Sequence, residues 1–358
     1  MDKLKKLLED VVVSGRDIGM QLAVYHKGEL VTNVWTGTAD TETREPVTEH
    51  TLFPAFSTGK GITATMLHIL AERNVLDYEQ PICEIWPEFA AHGKQNVLIK
   101  HALNHTAGIP QMPENLTTAD LNDWQGMCSR IARLEPLWPP GTYVEYHALT
   151  YGWIIGRIIE LASGMSFADF LRHEICNPLG IRDMYVGIPK EEWELASIAT
   201  LYEPGFDPSK INQSGIKVIP DCCLPMCGWL NQAGVLQSCI PGGNGMMSAH
   251  ALARHYAALL PDGIDGVKLL SDDHVKQVIR VSSREEKPMV NNVFGLGYAL
   301  GKEGDVFGPS KFGHGGYGGS IGFADTKRNI AIGLTKNYFH DKSAEMEIIA
   351  AVLDYVTG

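Results

Sequence analysis

No stretch of this 358-residue chain approaches the roughly 20 apolar residues that span a bilayer. The most apolar helical pattern, Trp153 to Ala162, is broken by Arg157 and Glu160. Basic residues are scarce: 30 Lys and Arg stand against 42 Asp and Glu, a formal charge of −12, and they do not cluster. A nucleic-acid partner is therefore not expected. The seven cysteines contain no C-x-x-C pair. Cys222, Cys223, Cys227 and Cys239 lie near one another, but their spacing is irregular, so core or loop thiols are expected and no metal or other cofactor. His173-Glu174-Ile175-Cys176-Asn177 begins like H-E-x-x-H but lacks the second histidine. Met1 to Asp10 is charged and amphipathic, without the unbroken apolar run of a secretory signal. With an odd number of cysteines, this fits a reducing cytoplasm and no membrane association. Repeats and low-complexity tracts are absent.

What is present begins at Ser57-Thr58-Gly59-Lys60, at the head of an apolar-periodic run, Gly61 to Asn74, that reads as a helix. Residues three apart on a helix share a face. Ser57 Oγ and Lys60 Nζ can therefore meet. A serine hydroxyl becomes a useful nucleophile when a neighbouring base takes its proton. A lysine is that base only when burial or positive potential lowers its pKa. A helix N-terminus adds such potential and presents free N–H groups to a developing oxyanion.

Two further stretches fit the same chemistry. Pro140-Gly141 marks a turn, and Tyr146 stands just before a helical pattern that ends near Ala162, with Gly164 as its cap. Gly313-His314-Gly315-Gly316-Tyr317-Gly318-Gly319 precedes two strand-like runs, Ile321 to Ala324 and Ile330 to Thr335. Glycines on a strand edge admit a substrate close to the backbone, and the Tyr317 N–H can join that of Ser57 as an oxyanion donor. Gly318-Gly319-Ser320-Ile321-Gly322 also matches G-x-S-x-G, but that elbow needs a helix directly after the serine, and here a strand follows. Gly313-x-Gly315-x-x-Gly318 lacks the helix of a dinucleotide fingerprint.

Together the three motifs resemble the serine β-lactamase and penicillin-binding-protein superfamily, and within it the family VIII carboxylesterases, which are similar to class C β-lactamases. The likeness extends to Leu103-Asn104-His105-Thr106-Ala107-Gly108-Ile109-Pro110 and Asn177-Pro178-Leu179-Gly180-Ile181. The resemblance implies acylation of Ser57, proton transfer by Lys60 and Tyr146, and an oxyanion and substrate edge at His314, Gly315, Gly316 and Tyr317. Trp229 and Asn244, in the segment Asp221 to Met247, are expected as walls of the cleft, and His105 as a structural histidine beside it. Two departures matter. Ala148 stands where the lactam-acting members carry an asparagine, and His314 where they carry a lysine. Both favour neutral esters over β-lactams.

The expected fold is α+β and β-lactamase-like, an antiparallel sheet flanked by terminal helices with an inserted, mostly helical lobe. Residues 1–56 with 285–358 form the sheet lobe and 57–284 the helical one. A hairpin is expected at Gln21 to Tyr25 and Leu30 to Trp35, and further strands at Phe294 to Leu300, Lys311 to Gly315, Ile321 to Ala324 and Ile330 to Lys336. Leu4 to Val13 and Ala344 to Val356 read as helices. The function that follows is a serine hydrolase of small carboxylic esters. A β-lactamase, a D-amino-acid peptidase or an acyltransferase on the same residues, and a non-catalytic binding protein, stand as alternatives.

Overall fold

The first hairpin follows from its turn. Lys27 and Gly28 both take positive φ, 53° and 79°, the conformation of a two-residue turn whose twist matches that of its strands. It joins strand β1 (Gly19–His26) to β2 (Glu29–Asp40). The computed structural model describes residues 3–287, 290–306, 308–340 and 343–357. The remaining strands are β3 (Glu45–Pro46), β4 (Phe53–Pro54), β5 (Met184–Val186), β6 (Gly245–Met247), β7 (Ser283–Lys287), β8 (Val290–Phe294), β9 (Ala299–Leu300), β10 (Lys311–Gly315), β11 (Ile321–Asp325) and β12 (Ile330–Lys336).

Nine of them form one sheet in the order β3-β2-β1-β12-β11-β10-β9-β8-β7, antiparallel throughout. β1 and β12 lie side by side, with Leu22 opposite Leu334 and Val24 opposite Ile332. Every residue of β12 is buried, and all of β1 but its last, because both faces of the sheet are covered. On one face the terminal helices Lys3–Val13 and Glu345–Thr357 contribute Leu4, Leu8, Val11, Ile348, Ile349 and Val352 to a core with Leu22, Val24, Ile332 and Leu334. Their three- and four-residue spacing puts these side chains on one stripe. On the other face the helix Ala249–Ala257 packs against β1, β11 and β12. It thus lies on the sheet although its residues fall in the middle of the chain.

The fold is the β-lactamase-like α+β arrangement. The expected strand Phe294 to Leu300 is interrupted, because residues 295–298 bend and Gly297 takes φ 81°. β8 and β9 are its two ends. Strand β7, Ser-Arg-Glu-Glu-Lys, has no apolar alternation, since it is an edge strand paired only with β8. A second, three-stranded sheet, β4-β6-β5, is made of two- and three-residue strands too short to leave a sequence pattern. In the helical part, Gly59–Glu72 packs against Thr150–Ser163, and Gly164 caps the latter in the left-handed conformation at φ 71°.

Candidate functional site

Ser57 sits in a short 3₁₀ turn, Phe56–Thr58, that runs directly into the helix Gly59–Glu72. The buried Phe56 takes φ 47°, a left-handed conformation that a bulky residue adopts only under constraint. Lys60 is fully buried. Its Nζ lies 2.7 Å from Ser57 Oγ and 2.6 Å from Gly242 O. Burial alone pushes Lys60 well below the ordinary lysine range. The Gly242 carbonyl can only accept, so Lys60 donates one N–H to it. A neutral amine then has its lone pair left for the Ser57 hydroxyl.

Gly242 is held by packing. A Cβ on Gly152, in the helix Thr150–Ser163, would stand 2.1 Å from the Gly242 nitrogen. Only glycine lets the loop come that close. The Asn244 amide donates to Val235 O (2.7 Å) and Ser238 O (2.6 Å), and its oxygen accepts from Ile240 N–H (3.1 Å). Asn244 is therefore not a wall of the cleft. It is fully buried and braces the loop that presents Gly242 O. Trp229 is likewise no wall, because its indole is 2 % exposed and packs in the main core behind Gly243.

Tyr146 reaches the same place from the other side. Its phenol interacts with the Ser57 hydroxyl, and its ring lies 5.1 Å from Lys60 Nζ. The ring stacks on Phe294, 10° from parallel, and touches His105 at a centroid distance of 4.8 Å. Its main-chain N–H donates to Glu285 Oε1 at 3.2 Å. Desolvation raises the Tyr146 pKa strongly, against a smaller lowering by the Ser57 bond, so the phenol stays protonated at neutral pH. His105 is buried and accepts the His147 N–H at 3.2 Å through Nδ1. That is a structural post for the Tyr146 segment. Glu285 and Phe294 lie outside every motif. No signal short of the β7–β8 pairing could have found them.

The β10 edge is docked onto the Ser57 turn. A Cβ on Gly316 would lie 2.1 Å from Ala55 O and 2.8 Å from Thr58 Oγ1. Thr58 Oγ1 donates to Ser320 O at 3.0 Å, as does Gly316 N–H at 2.8 Å. Gly319 N–H is bonded to Gly316 O within the same turn, whereas Tyr317 N–H has no backbone acceptor among the described residues. The Tyr317 ring meets Phe56, the neighbour of Ser57, edge-on at 5.5 Å. Gly316→Ala is expected to lower kcat about 100-fold with little change in KM, because the edge must retreat by close to an ångström. Steady-state kinetics at matched folding, judged by circular dichroism, check this.

His314 Nδ1 lies 2.7 Å from Gly315 O, so Nδ1 carries the proton. Nε2 is buried and has no hydrogen-bond partner among the described residues. Burial and the nearby Lys60 lower the His314 pKa to about 3, so the imidazole is neutral. Ser320 is buried, its Oγ accepts the Lys336 N–H at 3.2 Å, and strand β11 follows it. It has none of the geometry of a nucleophile elbow. Among the described residues no group of three or more His, Cys, Asp or Glu is placed to hold a metal ion, and no helix is long and apolar enough to cross a membrane.

Comparison with known proteins gives a consistent picture. A family model described as "Beta-lactamase" matches residues 4–356. The chain is 32% identical over 335 residues to the esterase/beta-lactamase LipL of Mycobacterium tuberculosis, covering 89% of this chain and 77% of that one. Among solved structures it is similar to a family VIII carboxylesterase, with a TM-score of 0.87, 28% identity and coverage of 98% of this chain and 96% of that one. It is also similar to a penicillin-binding protein homologue from Caulobacter crescentus, with a TM-score of 0.86, 27% identity and coverage of 99% and 96%.

Proposed function

Since the chain belongs to the beta-lactamase family, we propose that it is a serine hydrolase of carboxylic esters that works through an acyl-enzyme on Ser57. The observation that carries this reading is the fully buried amine of Lys60, 2.7 Å from Ser57 Oγ and facing a carbonyl rather than a carboxylate. Desolvation favours the neutral form of such an amine, which can accept the serine proton.

In the acylation step Ser57 Oγ attacks the ester carbonyl and its proton passes to Lys60 Nζ. The oxyanion takes hydrogen bonds from the Ser57 and Tyr317 N–H groups. As the tetrahedral intermediate collapses, the Tyr146 phenol gives its proton to the departing alkoxide and is reprotonated from Lys60. Tyr146 thus acts as a neutral phenol that relays a proton, and not as a standing phenolate, because burial opposes its ionisation. Water then attacks the acyl carbonyl, its proton going to the Lys60–Tyr146 pair, and Ser57 is released.

The preference for esters over β-lactams rests on two side chains. His314 is neutral and gives a substrate carboxylate no cation. Ala148 is buried and has no amide to orient a lactam side chain. The relatives named as esterases support the same reading.

The test is a fluorophosphonate followed by mass spectrometry, together with p-nitrophenyl butyrate turnover. The label is expected on Ser57 and not on Ser320, and Ser57→Ala should lose both label and turnover. A Ser57→Ala protein that still hydrolyses the ester at the parent rate would sink the proposal. Nitrocefin measured alongside ranks the β-lactam alternative, and a higher kcat/KM for it than for the ester would reverse the order.

A further inference from the structure

A cavity of about 370 Å³ lies beside the Tyr317 end of the site, lined by Glu203, Phe206, Asp207, Lys210, Tyr317 and Phe339 among others. Its two carboxylates are not equivalent. Asp207 accepts from Ser209 N–H (2.9 Å) and Ser209 Oγ (2.7 Å), and Lys210 favours its charge. Glu203 has less support, a single hydroxyl donor. Its Oε1 accepts the Tyr317 hydroxyl proton in a short hydrogen bond. Its Oε2 is buried against the Cys227 thiol, whose pKa burial raises, with the carboxylate adding to the rise. No lysine, arginine or histidine among the described residues forms an ion pair with Glu203.

Glu203 is thus a half-buried carboxylate with a hydroxyl donor and no cationic partner among the described residues. A carboxylate oxygen shut away from water with no cation beside it is unfavourable in itself. Here it is also held by the side chain of the residue whose main-chain N–H faces the developing oxyanion, so it repels the negative charge of the transition state. A substrate that brings a positive charge removes both penalties at once. The aromatic rings of Phe206, Tyr317 and Phe339 suit the short methylene arm of such a group and offer a cation their π faces. The formal charge of −12 draws cations toward the molecule as a whole.

We propose that the ester cleaved at Ser57 carries a primary ammonium group, and that the cavity beside Tyr317 is its subsite, with Glu203 as the specificity-determining residue. This rests on the ester-hydrolase reading and narrows it to amino-substituted esters.

The experiment compares isosteric pairs that differ only in an ammonium for a methyl. p-Nitrophenyl 5-aminopentanoate against p-nitrophenyl hexanoate tests the acyl side. 2-Aminoethyl benzoate against propyl benzoate tests the alcohol side. Wild type is expected to show at least a tenfold higher kcat/KM for the ammonium member of one pair, and in Glu203→Gln that ratio should fall to near one. The ratio is internal to each protein, so a loss of folded fraction in the variant does not move it. Equal turnover within both pairs, or a preference that survives in Glu203→Gln, overturns the inference while leaving the ester-hydrolase reading intact. No turnover of any of the four esters, with Ser57 unlabelled by fluorophosphonate, removes that reading and the inference with it.

Discussion

Lys60→Met is expected to reduce kcat/KM for p-nitrophenyl butyrate by at least about 10³-fold, the size of effect associated with losing a general base from an activated nucleophile. Methionine fills nearly the same buried space, so the loss would report the missing lone pair rather than a collapsed site. The pH profile separates the two explanations. Burial pushes the native pKa of Lys60 well down from the ordinary lysine value of 10.5. Wild-type kcat/KM should therefore rise with pH as Lys60 loses its proton and level off well before the ordinary lysine range, whereas the residual rate of Lys60→Met should lack that limb. A wild-type profile that climbs only near pH 10 would mean that the amine is charged at neutral pH, and Lys60 could not be the base.

Stability carries the same signature with a definite sign. Between the native and unfolded pKa values of Lys60 the unfolded chain holds a proton that the native state refuses, so stability rises with pH across that window. The other titrating groups are common to both proteins and cancel in the difference. Wild type should therefore gain on Lys60→Met as the pH is raised from about 7 toward 10. Urea midpoints of the two proteins at both ends of the window give the comparison, and a difference that stays flat would contradict a depressed Lys60.

Tyr146→Phe is the second large effect, expected to cost about 10²- to 10³-fold in kcat with KM nearly unchanged. The ring would still stack on Phe294 and against His105, and the N–H to Glu285 would remain. Only the phenol that interacts with Ser57 is removed. On the proposed relay the alkoxide receives its proton through that phenol, so the defect should shrink as the leaving alcohol becomes more acidic. Ethyl butyrate should suffer more than p-nitrophenyl butyrate. An equal loss on both would show that Tyr146 positions the substrate without relaying a proton.

The residues involved differ in how far the sequence exposes them. Ser57 and Lys60 are three apart, and their approach follows from helical periodicity alone, so their 2.7 Å contact was legible. The Lys27-Gly28 turn was equally legible, because a two-residue hairpin is a local matter. Trp229 and Asn244 were misjudged as cleft walls for the opposite reason. A tryptophan and an asparagine in a loop can face in or out, and the choice was made by the main core and by the carbonyls of Val235 and Ser238. Glu285 and Phe294 were invisible because a charged edge strand gives no apolar alternation and the bend at residues 295–298 disguises its partner.

Local sequence therefore accounts for the short-range facts: a serine and a lysine on one helical face, a tyrosine ahead of a helix, a glycine-rich strand end, terminal helices with one apolar stripe each. Their physics is complete within a few residues. The chemical state of those groups is set by the three-dimensional packing. The Lys60 pKa is depressed because the whole core surrounds it, Gly242 O reaches it because Gly152 has no side chain, and the Tyr317 turn docks on the Ser57 turn because Gly316 can touch Ala55. Desolvation and close approach are sums over remote segments, and no local pattern carries them.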